Sequence, residues 1–272
     1  MNQLFYLIFA LLYTPNYTQE LQLAKTLKID TPSEVSMDQT GSIYYATFNG
    51  DIIKLNPMLE NKMVFSPVNP NTTNMLEAWQ GLRIFSFHRD LQQYRLINRN
   101  LSLHQDYSIP QDMIGFAEMA TPSYDNNIWV IDQVDFSLVK YDITLRELKS
   151  RTPLDQLLNP ENYDILLCKE YQNKLFVSTQ NQGILIFDNL GSYIKSFTYK
   201  SISFFNFWKN DIYFLNNGEL IKINMYNEDI NRIALPDGLN WEFVLMYDKN
   251  IYLFIVLFIK EMNKIFCSSV YF

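Results

Sequence analysis

The sequence predicts an all-β fold: a six-bladed β-propeller of four-stranded antiparallel blades, closed by its N-terminal strand. Three observations predict it. A strand-turn-strand unit recurs along the chain, anchored at Ile43, Leu82, Ile128, Leu175, Ile212 and Ile251. The anchors lie roughly 37–47 residues apart, the length of one propeller blade. Apolar residues make up 48% of the 272 positions and aromatic residues 15%, with Phe, Tyr, Ile and Val usage that suits pleated, half-buried strands. The turns between the runs are written in Asn, Asp and Gly, which accept positive φ or hydrogen-bond their own backbone.

Taken in order, the first segment is not part of the ring. Residues 1–18 carry no charge, and residues 4–13 (LFYLIFALLY) form an apolar run with the length of a secretory h-region, too short to span a bilayer. Residues 1–18 are therefore read as a signal peptide and 19–272 as a single exported propeller, periplasmic, outer-membrane associated or extracellular. The run lacks a basic flank and an Ala-x-Ala site, so an inner strand or a membrane-surface anchor is the alternative. Residues 21–29 alternate Leu21, Leu23, Leu27 and Ile29 with polar neighbours, the pattern of a half-buried strand. As the outer strand of the sixth blade this segment removes the open seam of the ring.

Blade one reads as strands at 32–38, 42–47, 51–56 and 62–66, with a hairpin signal at Asn49-Gly50. Blades two and three span about 74–109 and 114–153. Blade four repeats the grammar of the first at 163–170, 174–179, 184–188 and 192–198, and blade five spans about 201–236. Blade six starts at Trp241. There the pattern wears out: 251–259 (IYLFIVLFI) is apolar without a turn signal, and 260–272 lacks the expected alternation. The last blade, about 240–272, is expected to be irregular: either its end is degenerate and leaves a tail, or the apolar run is a buried pair of strands with an unusual tight turn.

Two segments resemble NHL-type repeats. Met37-Asp38-Gln39-Thr40-Gly41-Ser42-Ile43-Tyr44 is similar to the first half of that pattern, Asp-x-x-Gly-x-Ile-Tyr. The segment from Ile184 through Phe187-Asp188-Asn189-Leu190-Gly191 to Phe197 is similar to the second, a strand ending in Phe-Asp, a Gly turn and an outer strand closing on Phe. The resemblance spans about residues 30–250 and is best in blades one and four. It implies a six-bladed propeller and no particular activity, because such propellers include lactonases, lyases, receptor ectodomains and scaffolds.

Propeller lactonases hold calcium in the central channel with Glu, Asn and Asp from inner strands. The matching positions here are Glu34, Glu77, Glu118, Asp164, Asn206 and Glu242. They do not recur in one register: their inner-strand neighbours are Val35, Met75, Phe116, Leu166, Phe204 and Leu245. A hard cation needs six or more oxygens converging on one point. The six are therefore kept as candidate binding residues at a channel mouth, with no metal, cofactor or catalytic residue expected.

The formal net charge is −7 and no basic stripe is visible, which argues against nucleic acid as a partner. Lys169, Lys174, Lys195 and Lys200 are scattered among acids and read as solvated strand edges. The two cysteines, Cys168 and Cys267, form neither a disulfide framework nor a zinc motif, and Cys168 reads as a buried thiol. The two histidines, His88 and His104, read as surface residues outside any metal motif. No nucleophile elbow, phosphate loop or dinucleotide fingerprint occurs. The aromatic clusters Phe204, Phe205, Phe207, Trp208 and Trp241, Phe243, Tyr247 read as packing between blades. The expectation is a monomeric, non-enzymatic exported propeller that binds another envelope or extracellular protein, with no membrane span beyond the signal peptide. The alternatives are a calcium-dependent, lactonase-like hydrolase or lyase, recognisable by carboxylates converging at one channel mouth, and a carbohydrate binder, recognisable by rings exposed side by side.

Overall fold

Each apolar anchor run becomes the second strand of a four-stranded antiparallel sheet in the computed structural model, which describes residues 21–272 apart from 80, 162, 237–238, 256–262 and 271–272. The signal peptide read at 1–18 lies outside the described residues. Strand β1 (Leu21–Ile29) comes first. Blade one holds β2 (Pro32–Met37), β3 (Ile43–Thr47), β4 (Ile52–Leu55) and β5 (Met63–Phe65). Blade two holds β6 (Met75–Glu77), β7 (Arg83–His88), β8 (Gln93–Asn98) and β9 (His104–Ser108). Blade three holds β10 (Ala117–Pro122), β11 (Asn127–Asp132), β12 (Ser137–Asp142) and β13 (Glu147–Pro153). Blade four holds β14 (Ile165–Tyr171), β15 (Lys174–Thr179), β16 (Gly183–Asp188) and β17 (Tyr193–Phe197). Blade five holds β18 (Phe205–Trp208), β19 (Asp211–Asn216), β20 (Glu219–Asn224) and β21 (Ile230–Ala234). Strands β22 (Trp241–Tyr247), β23 (Asn250–Ile255) and β24 (Asn263–Val270) complete the chain, and β1 pairs with β24 as the outer strand of blade six.

The architecture is thus a six-bladed propeller closed by the N-terminal strand. The inner strands touch in sequence, β2 on β6, β6 on β10, β10 on β14, β14 on β18 and β18 on β22, and β22 returns to β2. Part of the segment expected to be irregular, 256–262 and 271–272, lies outside the described residues. Over its described residues the last blade pairs its strands in antiparallel register, Asn250–Ile255 against residues 264–269 and β24 in turn against β1. The expected alternation of β1 holds only in part. Leu27 packs on the core and Ile29 is buried, whereas Leu23 is 64% exposed. A register shift between Leu23 and Lys25 explains it, since one extra residue in a strand moves every following side chain to the opposite face.

The blade-to-blade core is made mainly of residues from the first three strands of each blade. Blades one and two enclose Tyr44, Ile52, Leu76, Ile84 and Ile97, and blades three and four enclose Trp129, Ile131, Leu175 and Phe187. A larger cluster runs through the remaining contacts and includes the buried Phe204, Phe205, Phe207 and Phe243, so these rings pack as expected, with Trp208, Trp241 and Tyr247 half-buried against them. Cys168 is buried in the second of these clusters, a free thiol that burial pushes well above its ordinary range.

Inner strands have a free edge whose N–H groups cannot pair within the blade, and such buried donors need partners. Neighbouring blades supply them. Ser36 Oγ accepts from the Ala78 N–H at 2.9 Å, Gln92 Oε1 from Ala117 at 2.8 Å, and the Tyr213 hydroxyl from Met246 at 2.9 Å. The seam between blades six and one is tied in the same manner: Tyr252 donates to the Pro57 carbonyl at 2.8 Å, and Lys25 pairs with Glu60 at 2.9 Å.

The quoted repeat segments prove to be turn chemistry. Asp38, buried, accepts from the Thr40 N–H and hydroxyl, the Ser42 N–H and the Tyr44 hydroxyl, clasping the first turn of blade one. Gly41 sits there at φ +79, where a Cβ would lie 2.5 Å from the Tyr247 ring, so neither backbone nor space admits another residue without rearrangement. At the end of the third strand of blades one to five a second device recurs. Asn56, Asn98, Asp142, Asp188 and Asn224 each accept, through Oδ1, backbone N–H groups two to five residues ahead.

Candidate channel-mouth site

In a four-stranded antiparallel blade the first and third turns leave from one end of the sheet and the second turn and the blade-to-blade link from the other. The ring therefore has two unlike faces. The six candidate residues divide between them. Glu77 ends β6 and lies on the first-turn face, whereas Glu118, Asn206 and Glu242 sit near the starts of β10, β18 and β22, Glu34 lies early in β2, and Asp164 precedes β14. Glu118 and Glu242 are bulge residues, skipped by the ladder between Ala117 and Met119 and between Trp241 and Phe243, where blades one and four skip Ser33 and Leu166.

The structure brings some of the candidates together. Glu34 keeps part of its surface accessible, but burial pushes its carboxyl up to about 8, opposed by Lys169 and reinforced by Glu242. Glu118 is raised above the usual carboxylate range by burial, against a hydrogen bond from Tyr163, with exposed Asp164 adding like charge. Asn206 is buried, and its Oδ1 accepts from the Phe207 N–H at 2.9 Å. Glu77 Oε1 accepts from the Trp79 N–H at 2.7 Å and from Ser36 Oγ at 3.3 Å, while its Oε2 lies 3.3 Å from Lys169 Nζ. Among the described residues no group of three or more His, Cys, Asp or Glu is arranged to hold a metal ion.

Lys169 corrects the sequence reading. It is a buried residue of an inner strand, not a solvated edge, with its ammonium also 5.1 Å from the Phe204 ring. The contact with Glu77 is an ion pair by distance but lacks hydrogen-bond alignment, so the ammonium has no hydrogen-bond acceptor among the described residues. His88 is a second correction. It is buried in β7, its ring nitrogens meeting Ser86 Oγ at 3.2 Å and the Thr72 carbonyl at 3.1 Å, and burial lowers its affinity for a proton. His104 is exposed on β9, as expected.

Below Glu77 a recess of about 360 Å³ opens between the feet of blades two, three and four, lined by Glu77, Trp79, Pro122, Tyr124, Glu170, Tyr171, Gln172 and Asn173. Glu170, missed by sequence reasoning, clamps the blades: its carboxylate accepts from Ser123 Oγ and Trp129 Nε1, both at 2.5 Å, and from the Tyr124 N–H at 3.0 Å. Trp79 is half-buried with its ring 5.6 Å from that of Tyr171, and Tyr124 is 80% exposed. Around the recess, the first and third turns expose Met58, Leu82, Leu103, Leu145, Leu190 and Tyr226. Tyr226 of blade five reaches Gln172 of blade four with a 2.7 Å hydrogen bond, which sets these turns side by side on one surface.

No protein-family pattern matches the chain, and no curated protein matches its sequence. Solved structures do. The β-propeller domain of Cps50 (Swd1) from Myceliophteria thermophila aligns with a TM-score of 0.64 at 10% identity, over 93% of this chain and 100% of that one. Virginiamycin B lyase from Staphylococcus aureus, in a catalytically inactive form with quinupristin, aligns with a TM-score of 0.56 at 10% identity, over 87% and 80% of the two chains. The extracellular domain of the one-component system BT4673 from B. thetaiotaomicron aligns with a TM-score of 0.57 at 17% identity, over 90% of this chain and 34% of that one. At these identities the likeness shows the fold alone: the chain is a β-propeller.

Proposed function

We propose that this chain is a non-enzymatic, exported propeller of NHL-like type that binds another envelope or extracellular protein through the face bearing the first and third turns of its blades. The observation that carries the reading is an open recess with aromatic walls on that face, which also exposes the apolar side chains Met58, Leu82, Leu103, Leu145, Leu190 and Tyr226 on its first and third turns. Concave sites with a few polar groups, set in loops on a rigid scaffold, are where binding is concentrated. The NHL-like assignment draws on the Asp38 and Asp188 turn geometry within the quoted segments. Export draws on residues 1–18 and is compatible with the extracellular propeller to which the fold is similar. No helix among the described residues is long and apolar enough to cross a membrane.

Capture from the native envelope fraction tests the reading with two variant sets. Leu82→Lys with Leu190→Lys alters the proposed face, and Phe48→Lys with Val68→Lys alters exposed residues on the opposite face. A partner lost by the first set and kept by the second supports the face. Equal capture by both sets, or loss only with the second, contradicts it. Edman sequencing of the mature protein tests export, with a new terminus near residues 18–20 expected and a retained Met1 on a cytoplasmic product contradicting it.

A further inference from the structure

The recess has a charge and an aromatic character that point to one kind of occupant. Its lining holds two carboxylates, Glu77 and Glu170, and no lysine or arginine. Glu77 is answered from behind by the buried Lys169 ammonium. Glu170 is held by a hydroxyl, a backbone N–H and an indole N–H, and has no ion-pair partner among the described residues. Uncharged donors fix a carboxylate in place but leave its negative charge in the site. Beside it stand the Trp79 and Tyr124 rings, whose faces attract cations. An anion would be repelled by Glu170, and a neutral apolar guest would gain from the rings alone. An ammonium or guanidinium gains from both, and the net charge of −7 biases approach in the same direction.

We infer that the recess receives a basic side chain, lysine or arginine, presented by the protein partner. The inference rests on the proposed binding face and names what that face recognises. A volume of about 360 Å³ is enough for one such side chain with part of its backbone.

The test uses the ¹⁵N-labelled chain, the Trp79 indole signal and four small probes with short alkyl chains: n-butylammonium, n-butylguanidinium, n-butanol and butyrate. The two cations should shift the signal saturably, with a Kd below about 10 mM, and the other two should not. Tyr124→Ala removes an exposed ring without touching the core and should weaken the cations at least about threefold, as should added salt. Absence of saturation by about 50 mM cation, equal binding of butanol, or indifference to Tyr124→Ala would each overturn the inference. If these fail while capture still depends on the Leu82 and Leu190 face, the occupant is wrong and the face stands. If capture is also indifferent to that face, the underlying reading falls with it.

Discussion

Lys169 puts a buried ammonium on an inner strand. Withdrawing an ammonium from water costs several kcal/mol, and one ion pair at 3.3 Å without hydrogen-bond alignment offsets only part of that. Removing one member of such a pair strands the other. Lys169→Met should therefore destabilise more than Lys169→Met combined with Glu77→Gln, by about 1–3 kcal/mol in urea unfolding, and equal losses would contradict the pairing. Glu34 makes stability depend on pH. Its carboxyl is raised from 4.5 to about 8, so the folded chain holds a proton the unfolded chain releases between those values. Its contribution is fully present below about pH 4.5 and is lost as pH rises through about 8. Glu34→Gln should melt above the parent at pH 9 and converge with it toward pH 5, and a constant difference across that range would contradict the assignment. Neither residue was legible in the sequence as a pair. A lysine next to a glutamate reads as a solvated edge in a free-standing strand, but here the strand faces the channel and its neighbours, and the bulges at Glu118 and Glu242 leave no periodic mark.

Elements whose purpose is local were the easiest to read. The second strands carry largely apolar runs because both faces of a blade are covered by other blades, and five of the six anchors fall in one, with Leu82 exposed in the turn just ahead of β7. The Asp38 and Asp188 turns were visible because their chemistry lies within a few residues. Asp188→Ala should cost about 1 kcal/mol, read as a lowered midpoint in urea at unchanged slope, and an unaltered midpoint would remove the clasp from the account. The closing strand was legible in its place but not in its facing, since the shift at Leu23 depends on a partner some 240 residues away. Deleting residues 21–29 should lower Tm markedly, because Ile29 and part of Leu27 lose burial worth about 1.5–3 kcal/mol per large side chain, and β24 is left as an open edge. Deleting residues 263–272 should be as damaging, because β24 is the strand on which β1 docks. A truncation at either end that melts like the parent would contradict closure.

At the scale of the whole molecule, the ring leaves function to its faces. The inner edges are satisfied by neighbouring blades, and the candidate carboxylates are spread between two ends of the channel. Both faces expose apolar side chains, and what distinguishes the one bearing the first and third turns is a recess with aromatic walls and an unanswered carboxylate. None of this was visible as a motif, because turns from five blades contribute single residues that only the closed ring brings together. Hydrogen exchange of the chain alone and with its captured partner tests this most directly. The account predicts slowed exchange at residues 78–82, 123–126, 172–173 and 189–191, and none at 48–50, 66–72 or 133–136. Protection confined to the second set would contradict it.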